Sequence, residues 1–165
     1  MTDTDHGTER HETERHVEVD ASFSDFYRAE LTGQVRRAAL MVGSSELAHD
    51  LVHDVFVEMY RRWSTIDEPG PYLNRSVLNR CRDAGRARSR RTRLSDHLRP
   101  DLAVWDSEPI ADLLDGLPFN QRAVIVLRFY VGLSNVEIAD ALDCPPGSVG
   151  PWLNRALEHL RKVMP

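Results

Sequence analysis

Lysine is almost missing from this chain: of 21 basic residues, only Lys162 is lysine and the rest are arginine. Cysteine is scarce as well. Cys81 and Cys144 are the only two, and neither has a CxxC partner, so a disulfide framework and a cysteine zinc knuckle are both excluded. A reducing cytoplasm is the expected setting. No apolar run exceeds that from Ala38 to Val42, far short of the ~20 residues that span a bilayer. The first residues, MTDTDHGTER, are polar and acidic and lack the basic start and apolar stretch of a signal peptide. A glycine-rich phosphate loop, an activated serine or cysteine and a pair of catalytic acids are absent too. The expectation is a protein that is not an enzyme, with no cofactor, no metal and no small-molecule substrate.

What is present is charge, 26 acids against 21 bases for a net −5. Taken whole, that balance argues against a protein built to bind polyanions. Taken by segment it does not. Residues 1–20 carry seven acids and two arginines with almost nothing apolar, so the expectation there is a disordered acidic tail. Residues 75–99 hold nine arginines against Asp83 and Asp96. Residues 101–118 then carry five acids and no base. One strongly cationic segment lies inside an acidic total.

Periodicity points to helices throughout. Phe23, Tyr27, Leu31, Val35, Ala38 and Val42 recur at steps of three and four, with Ser22 placed to cap that helix and Gly43 to end it. Ser44 or Ser45 starts a second helix, which has one broad apolar face and shows Asp50, His53, Asp54, Glu58 and Arg61 on the other. A third runs from about Tyr72 into the arginines, with Leu73, Val77, Cys81 and Ala84 on its inner side and Arg75, Arg82, Arg86 and Arg93 opposite. Periodicity then lapses until Ile110. Helices follow at 110–117 and 119–131, then a Ser134–Glu137 capping box, a Pro145-Pro146-Gly147 turn, and a last helix that Ser148 is placed to cap. The expected fold is all-α: two small helical modules joined by a flexible acidic linker, the second a helix-turn-helix. The expected divisions are a tail at 1–20, a first module at 21–95, a linker at 96–109 and a second module at 110–165.

The closing pair of helices can place early side chains of its second member in a major groove, or it can be an ordinary helical hairpin. The arginine face has the stronger rationale, because cations neutralising phosphates release counterions. His49 and His53, four apart beside Asp50 and Asp54, have the spacing of a two-histidine metal site; an exposed polar helix face is the plainer account.

Three stretches, in order, resemble the extracytoplasmic-function class of bacterial RNA polymerase sigma factors over roughly residues 23–163. They are AHDLVHDVFVEMYRRW (48–63), PYLNRSVLNRCRDAGRARSRR (71–91) and LPFNQRAVIVLRFYVGLSNVEIADALDCPPGSVGPWLNRALEHLRK (117–162). The resemblance implies that Asp50, His53, Asp54 and Phe56 meet core polymerase at the β′ clamp helices, with further contacts to the β subunit. It implies that Asn79, Arg80, Asp83, Arg86, Arg90 and Arg91 capture the melted −10 element. Ser148, Trp152, Asn154 and Arg155 would read the duplex −35 element. The implied partners are core polymerase, promoter DNA and an anti-sigma protein, and the free chain is expected to be a monomer. Gly150 and Pro151 stand where the family prefers Lys and Ser, and Trp152 stands where it is mostly basic, which implies a weakened −35 grip or one helped by another protein at Trp152. A stand-alone helix-turn-helix regulator and a metal phosphohydrolase are the rival readings at this stage.

Overall fold

The computed structural model describes the backbone of residues 6–92 and 109–164, and the side chains of 18–88 and 110–164. Every regular element among the described residues is helical. Helix α1 (His6–Val42) is 37 residues long, so the stretch expected to be a disordered tail is helical from His6 onward. Two physical causes account for that. No proline or glycine stands between Thr8 and Thr32, and the glutamates and arginines there are good helix formers. In addition, tertiary bonds hold the helix further along: Tyr60 Oη donates to Asp20 Oδ1 at 2.8 Å, and Trp63 Nε1 donates to Ser22 Oγ at 2.8 Å. Ser22 therefore lies inside the helix rather than capping it, its hydroxyl donating to the Val19 carbonyl at 3.1 Å.

The other end of α1 closes as the sequence implies. Gly43 takes φ +70 and its N–H reaches the Ala39 carbonyl at 2.7 Å, the left-handed stop that glycine permits. Ser44 then caps α2 (Ser45–Arg61), its Oγ accepting the Leu47 N–H at 3.2 Å. The inner face of α2 buries Ala48, Val52, Val55, Phe56 and Met59. A short 3-10 turn, Trp63–Thr65, leads to α3 (Pro69–Thr92). This helix starts three residues before Tyr72, because prolines at 69 and 71 fall in a first turn where their missing N–H costs nothing. It buries Leu73, Val77, Leu78 and Cys81.

The expected linker at 96–109 lies outside the described residues apart from Pro109, which opens α4 (Pro109–Leu114). After Gly116 (φ +79) and Pro118 comes α5 (Phe119–Val126). It runs into a wide π-type turn, Leu127–Val131, closed by Gly132 at φ +83. The single helix expected to Val131 thus loosens over its last five residues, with Leu133 N–H bonding back to the Leu127 carbonyl at 3.0 Å. Helix α6 (Asn135–Ala141) has the full Ser134–Glu137 capping box. A second 3-10 turn, Pro146–Ser148, precedes α7 (Val149–Val163). Ser148 makes no capping bond, because its backbone is already wound helically at φ −81, ψ −28.

Residues Arg122 to Leu127 are all buried. They pack against α7 on one side and against α1 and α3 on the other, so both halves share one apolar core.

Candidate nucleic-acid interface

Three surfaces follow from this packing. On α2, burying the apolar face turns Asp50, His53, Asp54 and Glu58 outward, all exposed. Phe56 is different. It is 2% exposed, and its ring packs edge-on against Tyr27 at 4.8 Å and against Phe23 and Phe26 at 6.3 Å between centroids. A side chain so enclosed cannot touch a partner, so its expected interface role is corrected to one of packing. Its place on the Val52–Phe56 apolar stripe was the available signal. His49 and His53 are both exposed, and no group of three metal-binding side chains forms among the described residues.

On α3, Asp83 and Arg86 are exposed, and Asn79 and Arg80 are half-buried. Arg80 pairs with Glu58 across the α2–α3 seam. Arg82, expected on the open arginine stripe, instead turns inward. Its side chain is 19% exposed, NH1 lies 3.9 Å from Asp143 Oδ2, and its buried Nε has no partner. Arg90 and Arg91 lie on the α3 backbone, with side chains outside the described residues, as Arg93 is entirely.

The third surface is the helix-turn-helix. Its turn depends on Asp143 at φ +50, a left-handed position that aspartate tolerates better than most residues. On α7, Asn154 and Arg155 face out and Trp152 is half-buried, as is Ser148 in the turn before it. Trp152 lines a groove of about 670 Å³ with Asp83 and Arg86 of α3 and with Phe119.

Sequence reading does not anticipate the buried arginine of α5. Arg122, 8% exposed, donates from Nε to the Leu117 carbonyl at 3.0 Å and pairs with Asp115 Oδ1 at 3.4 Å. Burial lowers the pKa of its guanidinium; the Asp115 charge opposes that and Arg88 adds to it. Arg88 NH1 donates to the Val42 carbonyl at 3.3 Å, and the Arg36 guanidinium sits 5.8 Å from the Tyr130 ring centre. Phe129 in the wide turn is 61% exposed, and Val136 at the start of α6 is 71% exposed.

Comparison with known proteins follows the same division. The family description "Sigma-70 region 2" matches residues 26–91, and "Sigma-70, region 4" matches 107–160. An RNA polymerase sigma-E factor of Streptomyces avermitilis is 32% identical over 159 residues, spanning 90% of this chain and 88% of its own. The ECF RNA polymerase sigma factor SigK of Mycolicibacterium vanbaalenii is 27% identical, with 94% and 86% covered. In fold, the chain is similar to the sigma factor RpoE solved with the anti-sigma factor NepR from Bartonella quintana, at a TM-score of 0.60 and 20% identity over 86% of this chain and 95% of that one. Two regions in the family's order, with RNA polymerase sigma factors alike over most of their length, decide the matter: the chain belongs to the extracytoplasmic-function family of RNA polymerase sigma factors.

Proposed function

We propose that this sigma factor recruits core RNA polymerase through Asp50, His53 and Asp54 on the β′ clamp helices, with a further contact to the β subunit. Asn79, Arg80, Asp83 and Arg86, with Arg90 and Arg91, then hold the melted −10 element, and Ser148, Trp152, Asn154 and Arg155 meet the −35 duplex. The observation that carries this reading is the division of labour on one module: α2 turns out acids where α3 turns out Asp83 and Arg86. One face suits a protein partner. The other suits unstacked bases, whose pairing edges are free to be read while cations grip the backbone. The matches to both sigma regions do not favour a stand-alone regulator. Neither melting nor recognition requires covalent chemistry, so no catalytic group is assigned. The free chain is read as a cytoplasmic monomer held in reserve by an anti-sigma protein. No described helix is long and apolar enough to cross a membrane.

The test is transcription. Full-length chain mixed with core polymerase and fragmented genomic DNA is expected to start discrete transcripts that core polymerase alone does not. Asp50→Ala with Asp54→Ala is expected to abolish capture of core polymerase, and Arg86→Ala to leave capture intact while reducing transcripts. Tight promoter binding by the chain without polymerase would overturn the proposal.

A further inference from the structure

Two of the arginines assigned to DNA on α3 stand in different surroundings. Arg86 is exposed, and no ion pair holds it among the described residues. Arg80 is held across the α2–α3 seam, where its NH2 donates to Glu58 Oε1. Its Nε and NH1 make no hydrogen bond among the described residues. Glu58 itself has no part in the reading above. It follows Asp50 and Asp54 at steps of four, all three exposed, so the carboxylates share one row of α2. That row runs from the face assigned to polymerase to an arginine assigned to DNA.

The pair is too open to matter much to folding. The Arg80 and Glu58 side chains are 41% and 51% exposed, and ion pairs in that setting contribute little to stability. Its consequence is electrostatic. A guanidinium gains affinity for a phosphate by displacing the counterions around that phosphate. With a carboxylate already in contact, Arg80 brings its own counter-charge, and the pair as a whole displaces none. Glu58 also stands beside any incoming phosphate, and like charges repel. A base edge carries no net charge, so neither objection applies to it. A guanidinium has five N–H donors. Those that Glu58 does not hold remain for a base with two adjacent acceptors, as guanine offers at O6 and N7. Holding one nitrogen also limits the swing of the fork, so less freedom is lost when the others bind.

We infer that Glu58 is a positioning residue that makes Arg80 a reader of sequence. Paired with Glu58, Arg80 donates to a guanine edge in the melted −10 strand, while Arg86 grips the phosphates. The inference rests on the assignment of α3 to the −10 element proposed above.

The test uses the full chain in complex with core polymerase, and the single-stranded oligonucleotide that this complex selects from a random pool. Arg80→Ala is expected to weaken binding roughly fivefold at every salt concentration, leaving the slope of log affinity against log salt unchanged. Glu58→Gln keeps an acceptor for Arg80 and removes the charge. It should steepen the slope by about 0.7, one single-stranded phosphate contact, and Arg80→Ala added to it should take that step away. Pools selected by either single variant should lose a preference for guanine that the parent shows at one position. Urea unfolding of Glu58→Gln is expected to match the parent. A shallower slope for Arg80→Ala alone makes Arg80 a phosphate contact and overturns the inference. An unchanged slope for Glu58→Gln overturns it too, as does a clear loss of stability or of core-polymerase capture in that variant. Arg86→Ala separates the two readings. If it lowers the slope while the Glu58 and Arg80 variants depart from expectation, only the pairing falls; if it changes nothing either, the assignment of α3 falls with it.

Discussion

Tyr60 and Asp20, forty positions apart, meet in one hydrogen bond, the phenol Oη donating to Asp20 Oδ1 at 2.8 Å. That bond, and then the Asp20 charge, raise the Tyr60 pKa above its ordinary 10.0. A raised phenol pKa means that the contact is whole below about pH 10 and is lost as pH climbs through the folded value. Tyr60→Phe is therefore expected to lower helicity at neutral pH by fraying α1, and the parent chain to lose the same increment only above pH 10. Equal circular dichroism of the two chains at neutral pH would remove this contact from the account of α1.

Phe56 and Asp50 lie on one helix and should fail in opposite ways. Phe56→Ala empties the centre of an aromatic cluster and is expected to cost about 3–5 kcal/mol in urea unfolding. Asp50→Ala, at an exposed position, should change stability by less than about 0.5 kcal/mol and yet weaken capture of core polymerase. A stable Phe56→Ala chain that failed to bind polymerase would reinstate Phe56 as an interface residue.

Salt dependence separates α3 from α7. With core polymerase present, each phosphate contact to single-stranded DNA contributes about 0.7 to the slope of log affinity against log salt. Arg86→Ala should lower that slope by one such step for a single-stranded −10 oligonucleotide, and Arg155→Ala should leave it unchanged. An unchanged slope for Arg86→Ala would take that guanidinium out of the phosphate contacts.

The capping box on α6 is reciprocal: Glu137 N–H donates to Ser134 Oγ at 3.3 Å, and Ser134 N–H donates to a Glu137 carboxylate oxygen at 2.8 Å. Bonds from the Ser134 backbone and side chain hold the Glu137 pKa below its ordinary value. A lowered carboxylate pKa gives support that is present above about pH 4.5 and lost as pH falls through the folded value. Ser134→Ala is expected to cost about 1 kcal/mol, measured by urea unfolding at pH 7. No change would mean that α6 is held by packing alone.

The two thiols should differ in reactivity. Burial pushes Cys81 up to about 12, and Cys144, less enclosed, is raised by burial and then by Asp143. Because the thiolate is the reactive form, iodoacetamide at pH 8 should label Cys144 first and Cys81 only as the chain unfolds. Similar rates for both in the native protein would contradict the packing around α3.

Elements closed by neighbours in sequence were legible in it. Gly43, Ser44 and the Ser134–Glu137 box each act within four residues, and the structure places them as their types imply. Leu73, Val77 and Cys81 were legible for the same reason, since one helix turn repeats them onto one face. What was not legible depends on partners far along the chain. Helix α1 starts early because Tyr60 and Trp63 reach back to Asp20 and Ser22. Arg82 leaves the open stripe because Asp143 meets it from another module. Phe56 shows a different limit: its apolar stripe marked it as core, and resemblance to the family drew it toward an interface. Gly85 in the middle of a helical pattern was a visible anomaly, but its occupant, Phe119, sits 34 positions away.

Gly85 is defined by an atom that is not there, and an empty place can be filled in graded amounts. Alanine, serine and valine at this one position form a ladder of wedges, each prying Phe119 a little further from α3. Urea unfolding across such a ladder would weigh, step by step, how firmly α5 grips α3.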